Sequence, residues 1–383
     1  MQQAFSGLKV LDFTTTIAGP HCTRMLADMG ADVIKIEAGD GDMMRSRPPV
    51  RSGASVLFGQ LNAGKKSMML DLKSAAAQKA IAALVQESDI LVENFRPGVM
   101  HRFKFDYATL QKLNPRLIYC SISGYGQTGP SAGLPAYAPT IHAASGFDRA
   151  NMSYQEDRTR PDFCGVYVAD VVAGTYAFGA ISAALYQRAT TALGQHIDVS
   201  MLECMLSLTL PELVGAQFDV PPLRRPMFGP VATADGFVMV GVASEKSFQG
   251  LARAAAREDW ITDPRFADYL QRRGNWAELM DEFESWSKTV TADVLLEALA
   301  RAGVPASRYR TVREALADPQ VTHRAALAEV SDAGGSYNVL NAPFRMSGSD
   351  LKPGPRVPAL GEHTAEIEAA LAANSARKSP QHG

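Results

Sequence analysis

The chain has 383 residues, 46% of them hydrophobic, and a formal net charge of −2. That length predicts a large core and two domains, and the balanced charge offers no basic field for nucleic acid or an anionic membrane. Four cysteines, Cys22, Cys120, Cys164 and Cys204, stand far apart without a C-x-x-C. They point to reduced thiols in the cytoplasm and away from a disulfide framework or a metal site.

The opening "MQQAFSGLKVLDF" has no charged segment leading into an apolar run, so no signal peptide is expected. "LKVLDF" (Leu8–Phe13) reads as a buried strand. A turn with Gly19 and Pro20 leads into a helix that runs to Met29 and stops at Gly30. Strands are predicted at Ala31–Glu37, Lys66–Leu72, Asp89–Phe95 and Arg116–Ser123. Helices are predicted at Ser74–Gln86 and Tyr107–Leu113. This alternation implies a mostly parallel sheet covered on both faces.

A long helix is predicted over Val168–Arg188. Its uncharged stretch, Val171–Gln187, falls short of the roughly 20 residues a spanning helix needs, so it reads as a buried core helix. "GQHIDVSM" is a further strand. Residues 201–222 read as a linker, because Pro211, Pro221 and Pro222 interrupt any regular pattern. A smaller α/β domain spans 223–309, with a strand at Gly236–Val242 and helices at Glu245–Ala256, Trp276–Lys288 and Ala292–Ala302. Residues 310–383 lead back to the first domain, 1–200.

"SISGYGQTGP" holds Gly124, Gly126 and Gly129 in the G-x-G-x-x-G spacing of a dinucleotide-binding loop. Such a loop must follow a strand and open a helix whose N-terminus holds the pyrophosphate. The strand is present. The helix is not, because Pro130, Pro135 and Pro139 follow, and the first acid after Gly129 is Asp148. A nicotinamide or flavin enzyme is therefore disfavoured, although a tight loop at a strand's carboxyl end is a usual place for a ligand.

Several stretches, in order, carry a resemblance: "AGPHCTRMLADMGADVIKIE", "KKSMMLDLKS", "ENFRPGVMHRFKFDYATLQKLNPRLIYCSISGYGQTGP", "VADVVAGTYAFGAISAALYQRATTALGQHIDVSM" and "PALGEHT". Together the chain resembles family III CoA-transferases of the CaiB/BaiF type, which include formyl-CoA:oxalate transferase. The resemblance implies a Rossmann-like large domain built from both chain ends, a small α/β domain, and an interlocked homodimer. It implies a glycine-rich loop near CoA rather than a nicotinamide cradle. No cofactor would be bound permanently; coenzyme A and acyl-CoA are substrates, and a carboxylic acid is the other partner.

The same resemblance implies the chemistry. An aspartate attacks the acyl-CoA thioester, giving a mixed anhydride and then an aspartyl-CoA thioester, and the acceptor carboxylate reverses the sequence. Asp170, in "VYVADVVAG", matches that nucleophile. Its place at the start of the long helix suits an anion, although a helix cap is the plain alternative. Ala18, Leu70, Lys73, Asn94, Phe95, Arg96 and Arg102 match CoA-binding positions, and Arg and Lys suit phosphate oxygens. Tyr137 matches a tyrosine beside the nucleophile. His142 is a candidate to face the substrate. Arg224, Arg225, Arg45 and Arg47 are weaker candidates for a second carboxylate.

The chain departs from the formyl-CoA pattern at Ile17, Ala38, Pro135 and Ala138, where that pattern has glutamine, arginine, lysine and a polar or acidic residue. No run of consecutive glycines lies between Leu223 and Tyr309. The acceptor expected is therefore a short or branched mono- or dicarboxylate, not oxalate exchanged with formyl-CoA. The alternative activity is a 2-methylacyl-CoA racemase, which works with a histidine and aspartate pair. Tyr137 stands where that histidine belongs, and His142 lies five residues later.

Overall fold

Six short, largely buried segments build one parallel sheet in this computed structural model, which describes residues 2–155, 158–161, 163–219 and 227–378. The strands are β1 (Lys9–Asp12), β2 (Asp32–Glu37), β3 (Lys66–Met69), β4 (Ile90–Glu93), β5 (Ile118–Ser123) and β6 (His196–Ser200). Their order across the sheet is β3-β2-β1-β4-β5-β6, every neighbour parallel. The chain steps outward from β1 in one direction and then, from β4, in the other. The gap between β1 and β4 is thus the point where open α/β sheets bind ligands, beyond the carboxyl ends of the strands.

Side chains of a strand point alternately to its two faces, and here both faces are covered. Val10, Ile90, Val92, Ile118, Cys120 and Ile122 pack under helices α1 (Ala18–Asp28) and α6 (Val168–Thr191). Leu11, Leu91 and Tyr119 pack on the opposite side, against Ala77, Ile81 and Val85 of α3 (Ala75–Glu87). Ser74 caps α3 by accepting from the Ala77 N–H at 3.1 Å. Between these elements lie α2 (Val56–Asn62), α4 (Val99–Phe103) and α5 (Ala138–Ala144).

Three predicted elements differ. The helix expected over Tyr107–Leu113 is a single turn, Tyr107–Leu110. Residues 201–222, expected as an extended linker, begin instead with two short helices, α7 (Met201–Leu206) and α8 (Leu210–Gly215). Pro211 sits in the first turn of α8, where its missing N–H is harmless. The long helix α6 is buried on one face only. Ala169, Ala173, Ala177 and Ile181 are fully buried, while Val171, Tyr176 and Tyr186 are exposed. By length and composition α6 would suffice to cross a membrane.

Packing divides the chain into two units, 1–218 with 323–383, and 219–322. The second unit holds a three-stranded antiparallel sheet of β7 (Phe228–Thr233), β8 (Gly236–Gly241) and β9 (Ala306–Arg308), with β8 central. Helices α9 (Glu245–Ala254), α10 (Trp276–Ser287) and α11 (Ala292–Arg301) cover it around Trp260, Phe248 and Phe283. The returning tail adds the hairpin β10 (Leu327–Asp332) and β11 (Gly335–Leu340), then α12 (Thr364–Lys378). It also closes the free edge of β3. The Ser67 N–H donates to His363 Nδ1 at 3.2 Å and the Met69 N–H to Thr364 Oγ1 at 3.0 Å.

Candidate active site

The loop between β1 and α1, "FTTTIA", is fixed residue by residue. The Thr14 N–H donates to Asp12 at 2.9 Å, and Lys35 Nζ donates to the Thr14 carbonyl at 2.6 Å. Asn94, just past β4, clamps Thr15 with both ends of its amide: it accepts from the Thr15 N–H at 2.9 Å and donates to the Thr15 carbonyl at 2.8 Å. The Thr16 N–H donates to Asp42 at 3.2 Å. Thr16 has φ +70°, a region non-glycine residues rarely adopt, so these partners over-determine it.

Beneath the loop lie two fully buried ion pairs, Lys65–Asp12 at 2.9 Å and Lys35–Asp42 at 3.0 Å. Lys65 Nζ also donates to Thr23 Oγ1 at 2.7 Å and Asn62 Oδ1 at 2.8 Å. Burial pushes the Asp12 carboxyl up, but Lys65 and Lys35 outweigh it and hold the group well below the ordinary carboxylate range. Sequence reading passed over this network. Its signal was present in "VLDF" and "VIKIE", where a charge sits among buried strand residues; such a charge needs a partner.

The loop ends by presenting the first N–H of α1. That group, on Ala18, acts on the carboxyl of Asp170 and favours its charged form. Asp170 lies in the first turn of α6, so its carboxyl is bounded by the N-termini of two helices, where unpaired N–H groups favour an anion. Gly174 permits this approach: a Cβ there would lie 2.4 Å from the Ala18 carbonyl oxygen. Among the described residues no basic side chain pairs with Asp170. Burial, opposed by the Ala18 N–H, raises its carboxyl from the ordinary 3.8 to about 6. Asp170 is therefore ionised at neutral pH, its charge supported by the Ala18 N–H and by helix ends.

His142, expected to face substrate, does not. Its side chain is fully buried, and its Nε2 accepts from the Ala169 N–H at 3.1 Å. It lies in the core because α5 packs on α6, and its ring rests against Phe147, with centroids 5.6 Å apart. Tyr137, at the N-cap of α5, is 64% exposed.

The candidate CoA residues share one edge of the sheet. Ala18 follows β1, Leu70 and Lys73 follow β3, and Asn94, Phe95 and Arg96 follow β4, with Arg102 on α4. The structure brings Ala18 to Asp170 and Asn94 to Thr15. Asn94 spends its amide on the loop, so it acts through backbone. Lys73, Arg96 and Arg102 are exposed and, among the described residues, form no ion pair. Arg45, by contrast, is committed to Glu37 with two hydrogen bonds, at 2.8 and 2.6 Å. Arg224 and Arg225 lie outside the described residues. After the glycine loop the next helix starts only at Ala138. The loop is tied instead to its neighbours: Asp198 accepts from the Gln127 N–H at 2.9 Å, and the Gly124 carbonyl accepts from the Leu202 N–H at 3.0 Å.

Glu93, at the carboxyl end of β4, is a second buried carboxyl that sequence reading did not single out. It accepts from the Phe95 N–H at 2.9 Å and thereby sets the start of the loop carrying Phe95 and Arg96. Burial raises it from 4.5 to about 7, against hydrogen bonds from Ser121 and Phe95.

The family model for CoA-transferase family III matches residues 5–364. A succinyl-CoA:mesaconate CoA-transferase of Haloarcula hispanica is 33% identical over 95% of this chain and 95% of its own. An acetyl-CoA:oxalate CoA-transferase of Acetobacter aceti is 35% identical, with 97% of both chains covered. Among solved structures, a CAIB/BAIF family protein from Brucella suis superposes with a TM-score of 0.84 at 33% identity, covering 97% of this chain and 100% of that one. Similarity of this extent, over both the sequence and the fold, assigns the chain to CoA-transferase family III and makes it a CoA-transferase.

Proposed function

We propose that the protein transfers CoA from an acyl-CoA donor to a free short or branched mono- or dicarboxylate through covalent intermediates on Asp170. The observation that carries this reading is the Asp170 carboxyl itself: partly buried, without a cation partner among the described residues, and placed where two helix N-termini meet. An Asp170 oxygen attacks the thioester carbonyl, the C–S bond breaks, and CoA leaves as a thiolate. The thiolate attacks the aspartyl carbonyl of the mixed anhydride and releases the donor acid as its carboxylate. The acceptor carboxylate then attacks the aspartyl-CoA thioester, and the freed thiolate takes the new acyl group, restoring Asp170. Every step exchanges one anion for another, so no proton moves. The lack of an ion-pair partner for Asp170 among the described residues suits that sequence, and the Ala18 N–H suits the oxyanions it passes through.

Ala18, Leu70, Lys73, Asn94, Phe95, Arg96 and Arg102 would bind or shape the CoA path, with the three exposed cations available to phosphates. Tyr137 would meet the acyl group. The two named relatives act on mesaconate and oxalate, which supports a dicarboxylate acceptor. The burial of His142 supports transfer over racemisation, because its Nε2 is occupied by the Ala169 N–H. We read the working form as an interlocked homodimer in the cytoplasm. The exposed apolar face of α6, with Leu210, Val214 and Phe218 nearby in sequence, supports a second copy. The four free thiols suit a reducing compartment.

The test is intact mass after brief incubation with a panel of short acyl-CoAs and an acid quench. A covalent CoA adduct on Asp170, removed by hydroxylamine and absent from Asp170→Asn, supports the reading. No adduct with any donor, together with deuterium uptake at the α-carbon of a branched acyl-CoA, overturns it.

A further inference from the structure

We propose that His142 is a positioning residue for Asp170: as a neutral hydrogen-bond acceptor it caps the helix that carries the nucleophile. The inference rests on the reading of Asp170 given above. The first N–H groups of a helix have no partner within it and need an outside acceptor. That acceptor is usually the side chain of the residue before the helix. Here that residue is Tyr167, which makes no such bond. The Ala169 N–H, buried and next in sequence to Asp170, finds His142 Nε2 instead, 27 residues away.

An N–H can only donate, so Nε2 must be unprotonated. The ring is therefore the neutral tautomer with its proton on Nδ1, a buried atom without a hydrogen-bond partner among the described residues, and Asp148 is the one charged group acting on the ring. Burial favours the same neutral form. Two other N–H groups of this turn are held locally, Val168 by Val166 and Val171 by Tyr167. His142 thus ties the backbone of the first turn of α6 to another element, α5. If the tie is lost, a buried N–H is left without a partner and the turn bearing Asp170 can fray. Covalent catalysis is sensitive to such loosening, because the attacking oxygen must sit within a fraction of an ångström of its productive place.

The test compares His142→Leu, which keeps volume and removes the acceptor, with His142→Gln, whose amide oxygen can reach the Ala169 N–H. The readouts are the rate of CoA-adduct formation, kcat against KM for the acyl-CoA, and amide hydrogen exchange over residues 166–174. In His142→Leu, kcat and adduct rate are expected to fall about tenfold or more with KM little changed, and exchange in this segment to accelerate. His142→Gln is expected to stay within about threefold of wild type on each measure. Equal loss in both variants overturns the proposal, as does wild-type kcat in a His142→Leu protein that is merely less heat-stable. If His142→Leu does not fold, His142→Asn, too short to reach Ala169, replaces it. An adduct in wild type that forms at the same rate in His142→Leu removes this proposal alone. No adduct in wild type removes the Asp170 reading beneath it.

Discussion

Replacing Asp170 with asparagine should destroy transfer and stabilise the fold, and the pH dependence of the gain is the informative part. The folded carboxyl is raised to about 6 from 3.8. The folded state therefore holds this proton more tightly than the unfolded chain does. The contribution to stability is complete below about 3.8 and is lost as pH rises through about 6. At about 1.4 kcal/mol per unit, holding the anion at neutral pH costs about 3 kcal/mol, or about 2 after allowance for partial exposure. Asparagine keeps the shape and can still accept from the Ala18 N–H, but it is never charged. Urea midpoints followed by circular dichroism should place Asp170→Asn about 2 kcal/mol above wild type near pH 8, with the two converging near pH 4. A gain that is absent at pH 8, or equal at both ends, would refute the claim that burial strains this anion. The same shift predicts that adduct formation by wild type falls about tenfold per unit below pH 6.

Lys65→Met removes the ion-pair partner of buried Asp12, leaving its threonine hydrogen bonds and the more distant Lys35, and should destabilise the first unit by about 3 kcal/mol. Adding Asp12→Asn should recover part of that loss, and a cost below about 1 kcal/mol for the single change would show the pair to be dispensable. Gly174→Ala drives a methyl group against the Ala18 carbonyl, so a loss of about 1–3 kcal/mol in thermal unfolding and a slower adduct rate are expected together. Glu93, held near pH 7 when folded, stabilises the neutral form; wild type should lose about 3 kcal/mol as pH rises from about 5 to 8, while Glu93→Gln should show a flatter profile in the same titration.

Local pattern was enough to read most elements of the first unit. Leu8–Phe13, Ala31–Glu37 and Arg116–Ser123 each contain an observed strand, and Val168 begins the long helix. Their short apolar runs and flanking glycines act over a few residues, which is the range that pattern reading senses. The Asp12–Lys65 pair was out of reach for the opposite reason. It joins residues 53 apart, and only the order of strands in the sheet decides that they meet. His142 was misjudged because a histidine on a short helix carries no mark of which face is covered; the packing of α5 on α6 decides it. The prolines after residue 210 misled because Pro211 opens a helix as readily as it ends one. Asp170 was placed by resemblance, and its local sequence alone suited a cap equally well. The approach of the Ala18 N–H depends on a glycine one turn further along, whose role shows only when α1 lies against it.

The closure of β3 by His363 and Thr364 has a consequence for how the protein is made. Ser67 and His363 are separated by 296 positions in the chain. At about 5–20 residues per second on a ribosome, the strand waits roughly 15–60 s for the segment that covers it. During that interval an open strand edge is a template for pairing with other nascent chains. Shortening the tail would make that exposure permanent, so C-terminal truncation should be felt first as aggregation during synthesis rather than as weakened catalysis.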